Sequence, residues 1–303
     1  MSVSPRLRAI LLALLVTFLW STSWVLIKIA LAQIPPLTFA GLRYTLAALL
    51  LLPGLWRRRA ALGALPGRAW GRLAVLGLVF YTLTQGGQFL TLNHLPAVTF
   101  SLLLNFSAVL VALFGIVALG EIPSRLQWGG MALFLGGVAV YFLPLAEGGQ
   151  PVIGLALAGL TVCANAAAAV LGRGANREAT LPPLLVTGVS MSVGAACLLG
   201  LGLALEGLPH LSPQSWGIVA WLAVVNTALA FTLWNRSLQT LSAVESSMIN
   251  NTMLVQIAVL AWLFLGEPLG VRQVAGLALA TVGIFLAHVR RSRPKSLPGS
   301  PTR

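Results

Sequence analysis

Apolar residues fall in long runs along this chain, separated by short stretches that hold Gly, Pro and Arg. A helix needs about 20 apolar residues to cross a hydrocarbon core of roughly 30 Å. Ten runs satisfy that requirement, at 9–32, 36–56, 72–91, 97–118, 125–143, 152–171, 183–205, 214–235, 242–264 and 272–290. The pattern predicts an all-α integral membrane protein with ten transmembrane helices. A signal peptide is the rival reading of the first run. That run is long, carries Trp20 and Lys28, and is followed by no small-residue cleavage site before the second.

The polar residues that interrupt the runs are few, and their spacing carries information. Trp20, Trp24 and Lys28 recur every four residues around Ser21, Thr22 and Ser23, so they share one helical face. Trp20 falls near mid-depth, where it either packs on neighbouring helices or lines a cavity. Lys28 is close enough to the outer surface for its amine to snorkel there. Arg43 lies seven residues into the second run. A charge inside a span costs at least ~2.5 kcal/mol at the bilayer centre and therefore faces protein or water. It either bridges backbone carbonyls or holds a substrate carboxylate.

In the third run Tyr81, Thr84, Gln85 and Gln88 follow i, i+3, i+4, i+7 spacing, a polar stripe that lipid cannot satisfy. It is expected to face a wet cavity, with hydrogen bonding between helices as the alternative. Asn105, Asn165, Asn226 and Thr227 are isolated polar positions at intermediate depth. The ninth run is the most polar, with Glu245, Ser246, Ser247, Asn250, Asn251, Thr252 and Gln256. Glu245, Thr252 and Gln256 share a helical face. A carboxylate within a span suits proton coupling; the other reading places Glu245 at the cytoplasmic edge, paired with Arg236.

The runs are also duplicated. Leu119, Gly120 and Glu121 recur as Leu265, Gly266 and Glu267, and in the same register Asn105 matches Asn251, Gly130 matches Gly276 and Gly137 matches Gly283. The spacing is 146 residues in every case. Pro35, Pro36 and Gly41 recur as Pro182, Pro183 and Gly188 at a spacing of 147. Such self-similarity marks a repeated structural unit. The organisation expected is a cytoplasmic N-terminus over 1–8, a five-helix repeat over 9–143, an external linker over 144–151, a second repeat over 152–290 and a cytoplasmic tail over 291–303. Five is odd, so the second repeat enters the membrane inverted, and substrate sites in such architectures lie between the halves around a central cavity. The copies differ usefully: Glu245, Thr252 and Gln256 stand opposite Thr99, Phe106 and Leu110.

Composition agrees with a lipid solvent, since 58% of residues are apolar and 8% charged, against roughly 25% charged in a soluble domain. The net charge of +13 is not arranged as a basic face, so nucleic acid is not an expected partner. It acts instead as a topology signal. Arg6, Arg8, Arg57, Arg58, Arg59, Arg68, Arg72, Arg125, Arg173, Arg177, Arg236, Arg290, Arg291, Arg293, Lys295 and Arg303 all fall on one side, which places both termini in the cytoplasm. Cys163 and Cys197 sit in apolar runs and imply neither a disulfide framework nor a metal cluster. His94, Glu147, Glu206 and His210 read as solvated loop residues. Trp234 to Arg236 reads as an interface anchor.

With these motifs in hand, the chain resembles the drug/metabolite transporter superfamily, in particular its EamA-like ten-helix exporters. The doubled Leu-Gly-Glu segments, Gly41-Leu42-Arg43-Tyr44 followed by Arg57 to Arg59, and the Trp20 to Lys28 stretch carry the resemblance. It implies a secondary transporter in the cytoplasmic (inner) membrane that moves small metabolites such as amino acids, commonly outward. The family usually has a proline within the fourth and ninth spans. Here Ala108 and Leu254 stand at those places.

The leading expectation is a carrier that alternates access between its halves, with a small-molecule substrate, the lipid bilayer and protons as partners and no cofactor. Trp20, Tyr81, Gln85, Asn226 and Asn251 would suit an amino acid or similar zwitterion. An uptake permease, a uniporter or a channel-like protein is the alternative. An intramembrane enzyme would need a positioned nucleophile and base or clustered metal ligands, and the scattered histidines supply neither.

Overall fold

The computed structural model describes residues 4–119, 124–142, 151–177, 182–241 and 243–288. Among these residues all regular structure is helical. The first half runs through α1 (Pro5–Ala30), α2 (Pro36–Trp56), a short α3 (Arg59–Gly63), α4 (Gly67–Gly77), α5 (Gly86–His94), α6 (Ala97–Leu104), α7 (Phe106–Leu119) and α8 (Arg125–Phe142). The second half follows with α9 (Val152–Arg177), α10 (Pro183–Leu205), α11 (Pro213–Ala223), α12 (Ala230–Leu238), α13 (Ala243–Asn251), α14 (Met253–Leu265) and α15 (Val271–His288). A proline opens α1, α2, α10 and α11, where its fixed φ fits a first turn and its missing N–H costs nothing.

Seven helical segments are long and apolar enough to cross a membrane: Pro5–Ala30, Pro36–Trp56, Gly67–His94, Val152–Gly172, Leu184–Leu205, Pro213–Leu238 and Met248–Leu265. Ala97–Val111 and Val271–Ala287 are shorter apolar helices. Of the ten expected spans, the fourth is broken at Asn105, and the described parts of the fifth and tenth are Arg125–Phe142 and Val271–His288. Large apolar side chains such as Leu11, Phe18, Trp262 and Phe264 cover the outside, as a lipid-solvated bundle requires.

Equivalent helices of the two halves pair with each other in opposite directions. Gly130 of α8 meets Gly283 of α15, and Gly137 meets Gly276. These are the repeated glycines, so the contact exchanges one copy for the other. A methyl group at Gly276 would lie 2.8 Å from the Gly137 carbonyl oxygen, and one at Gly283 would lie 2.7 Å from that of Gly130. Only glycine permits so close a backbone approach. The α2 and α10 pair behaves likewise: a Cβ at Gly41 would lie 2.6 Å from Leu199 Cα, and one at Gly188 would lie 2.7 Å from the Leu55 side chain.

The helix interruptions also recur. Leu78–Gln85, between α4 and α5, is a π-helix, and so is Val224–Leu229, between α11 and α12. Leu78 and Val224 are equivalent in the repeat. Such widened turns are rare and concentrate at functional sites. The α6 helix stops at Asn105 and α13 at Thr252, each with a tight turn in which Asn105 N–H donates to Leu102 O at 3.2 Å and Thr252 N–H to Ile249 O at 3.1 Å. Neither break has the family's proline. Instead Asn105 Nδ2 donates to Ser101 O at 2.7 Å and Thr252 Oγ1 to Ile249 O at 2.6 Å, competing with the helical ladder.

Candidate functional site

The polar residues of α1 meet the second half along two lines. Gln256 of α14 accepts Ser21 Oγ–H through Oε1 at 2.9 Å, and its Nε2 donates to Thr252 Oγ1 at 3.0 Å and Thr17 Oγ1 at 3.3 Å. Of the face expected for Glu245, Thr252 and Gln256, the last two bond each other and Gln256 is turned onto α1. Higher on the helix, Asn226 is fully buried in the second π segment. Its Nδ2 donates to Leu19 O, to Thr22 Oγ1 at 3.2 Å and to Ser23 Oγ at 3.3 Å, and its own carbonyl accepts Trp20 Nε1–H at 3.1 Å. Asn226 Oδ1 has no partner among the described residues.

Trp20 lies between Phe231 and Trp234, with ring centroids 5.4 and 5.2 Å away. Trp234, expected as an interface anchor, is half-buried and also packs on Trp20 at a tilt of 51°. Trp24 is buried and packs on Phe100 at 5.3 Å, in the first half. The single face expected of Trp20, Trp24 and Lys28 is divided among different partners.

The stripe on the third span separates as well. Tyr81 and Thr84 are buried, whereas Gln85 and Gln88 are half-buried and make no hydrogen bond among the described residues. Thr84 Oγ1 donates to Val79 O at 2.9 Å, five residues back, which is possible because the π turn brings that carbonyl within reach. Asn165 Nδ2 donates to Ser107 Oγ at 3.0 Å and so joins α9 to α7. Asn251 is half-buried at the end of α13.

The charged residues take partners that periodicity does not reveal. Lys28 Nζ donates to Leu92 O at 2.5 Å and Leu95 O at 2.8 Å. It closes the C-terminus of α5, whose last carbonyls lack partners within the helix. Glu206 is not a solvated loop residue: its two oxygens accept Leu37 N–H at 3.1 Å and Thr38 N–H at 2.8 Å, capping α2. Glu267, displaced from α14 by Gly266 at φ 65°, accepts Ala97 N–H at 2.6 Å and Val98 N–H at 3.0 Å. It sets a helix end, and that helix belongs to the other half. Glu121 lies outside the described residues.

Glu245 pairs with Arg6: its Oε1 accepts Arg6 Nη2–H at 2.5 Å and Nε–H at 3.0 Å. The pair is partly solvated, with the arginine side chain 73% and the glutamate side chain 27% exposed. Arg43 is buried in α2, and its Nε–H donates to Thr227 Oγ1 at 3.2 Å. Neither backbone carbonyls nor a carboxylate hold it among the described residues.

A duplicated helical chain with membrane-length apolar helices, equivalent helices paired antiparallel and polar groups gathered between the halves is the architecture of a membrane transporter. The chain belongs to the EamA-like transporter family, which it matches over residues 7–143 and 152–289, within the drug/metabolite transporter superfamily. It is 29% identical over 307 residues to the "Uncharacterized transporter YvbV" of Bacillus subtilis (strain 168), covering 96% of this chain and 95% of that protein. A shorter similarity, 33% identical over 135 residues, covers 45% of this chain and 41% of the S-adenosylmethionine/S-adenosylhomocysteine transporter of Chlamydia trachomatis serovar L2. Another, 38% identical over 80 residues, covers 26% of this chain and 20% of the bovine UDP-galactose translocator. One crystal structure matches with a TM-score of 0.66 and 20% identity, over 92% of this chain and 97% of its own, which establishes a shared fold.

Proposed function

We propose that the protein is a secondary-active carrier built of ten transmembrane helices in two inverted five-helix repeats. It alternates access to a site between them and exports small polar metabolites, amino acids or related compounds. The observation that carries this reading is the exchange symmetry of the α8 and α15 contact, in which Gly130 meets Gly283 and Gly137 meets Gly276. Two copies of one unit that pack antiparallel have two nearly equivalent arrangements, one open to each side, and alternating access needs both.

In this reading both termini are cytoplasmic, and Glu206, Glu267 and Lys28 tie helix ends together at the outer face. Gln85, Gln88, Asn105, Asn251 and Trp20 border the substrate path. Protonation of Glu245 would release Arg6 at the cytoplasmic face and so couple a proton gradient to the cycle. Counterflow in proteoliposomes tests the function: a carrier exchanges labelled for unlabelled solute with saturation. Non-saturating flux would establish the channel-like alternative.

A further inference from the structure

Two consecutive residues of α2 each meet one of the two π segments. Arg43 binds Thr227 through Nε at 3.2 Å, and the Tyr44 ring lies edge-on to Tyr81 with centroids 5.5 Å apart. Tyr81 and Thr227 are equivalent positions of the repeat, 146 residues apart. The two widened turns therefore converge on one spot from opposite halves of the protein.

That spot is rich in unused donors. Arg43, Tyr44 and Tyr81 are 6%, 4% and 3% exposed. The guanidinium carbon lies 5.1 Å from the Tyr44 ring centroid, and neither tyrosine hydroxyl makes a hydrogen bond among the described residues. Among the described residues, the sealed polar side-chain atoms without partners are Thr45 Oγ1, Asn226 Oδ1 and Arg272 Nε. The terminal nitrogens of Arg43 and the two phenol oxygens are not among them, so these atoms are not fully sealed. A buried arginine normally has a carboxylate partner, because an uncompensated charge is expensive to hold away from water.

We propose that Arg43, Tyr44, Tyr81 and Thr227 form a recognition site for the carboxylate or phosphate group of the transported solute, a proposal that rests on the transport reading above. The guanidinium fork presents parallel N–H groups whose spacing matches two oxygens of either anion. Thr227 holds Nε and so fixes the plane of the fork, leaving the terminal nitrogens for the ligand. The phenol hydroxyls add O–H donors to the same oxygens. Because Arg43 comes from the first half and Thr227 from the second, a bound anion supplies the missing counter-charge at the junction between the halves.

The test uses the purified full-length protein in proteoliposomes with two probe pairs, L-phenylalanine against L-phenylalaninamide and UMP against uridine. In counterflow the carboxylate or phosphate member of a pair exchanges, and the partner lacking the anion exchanges about tenfold less or weaker, the loss expected for hydrogen bonds to a charged group. The pair that responds identifies which anion is taken. Arg43→Gln removes that exchange while the melting temperature holds or rises, and Arg43→Lys restores part of it. Tyr81→Phe, which preserves the ring packing, lowers exchange several-fold should Arg43→Gln fail to fold. Exchange that is indifferent to the anionic group, or unchanged in Arg43→Gln or Tyr81→Phe, overturns the anion site alone. A wild-type protein that exchanges none of the four solutes contradicts the transport reading and this proposal together.

Discussion

Glu267 of the second half accepts the backbone N–H of Ala97, the first residue of α6 in the first half, at 2.6 Å. Pro96 precedes that helix and offers no side-chain cap, so the orphan donors of its first turn depend on a carboxylate 170 residues away. Glu206 serves α2 in the same manner, again behind a proline, Pro35. Both carboxylates fasten a helix of one repeat to a connection of the other.

Glu267→Ala and Glu206→Ala should each lower stability by about 0.5–2 kcal/mol, the usual loss for a helix cap. Glu267→Gln keeps one acceptor oxygen and should lose less. Thermal denaturation of the detergent-solubilised protein measures all three. An unchanged melting temperature in both alanine variants would show that water replaces the carboxylates freely.

Gly137→Ala should destabilise the protein by about 1–3 kcal/mol, because the added methyl runs into the α15 backbone at Gly276 and Ala280 and overpacked sites cannot relax freely. Gly136→Ala is the control. Nothing lies within 4 Å of a Cβ there, and alanine is the better helix former. Equal melting temperatures for the two variants would remove the close approach of α8 and α15.

Cysteines at Gln85 and Gln88 should be labelled by small thiol reagents and protected by substrate, while Thr84→Cys should stay inert because that position is buried. The background must have Cys163 and Cys197 replaced by serine, since Cys163 is exposed and Cys197 partly so. Uniform labelling of all three positions would separate Gln85 and Gln88 from the substrate path.

Glu245→Gln should abolish stimulation by a pH gradient and leave exchange intact, with Arg6→Gln producing a partial effect through the same ion pair. Gradient dependence measured on reconstituted protein decides this. A variant that responds to the gradient like the wild type removes Glu245 from coupling.

Some of the site could be read along the chain. The Thr252 and Gln256 face follows from helical periodicity, and that face does bind α1. The π segments disturb the stripe of Tyr81, Thr84, Gln85 and Gln88, because a widened turn shifts the angle between successive side chains and lets Thr84 bond its own backbone. The partners of Lys28 and Glu206 escaped the sequence for a different reason. They are backbone groups at helix ends 64 and 169 residues away, and a free N–H or C=O has no signature in the side-chain sequence.

The sequence by itself determined that this protein is helical, apolar enough to live in lipid and assembled from two copies of one unit, since run length, composition and repeat are local or self-referential properties. Which copies touch, and through which residues, was decided only in three dimensions. Arg43 finds Thr227 across 184 residues because α2 packs directly against the second π segment, which carries Thr227 to the α2 surface. Helical periodicity specifies the face of a side chain; the packing of the two halves specifies what that face meets.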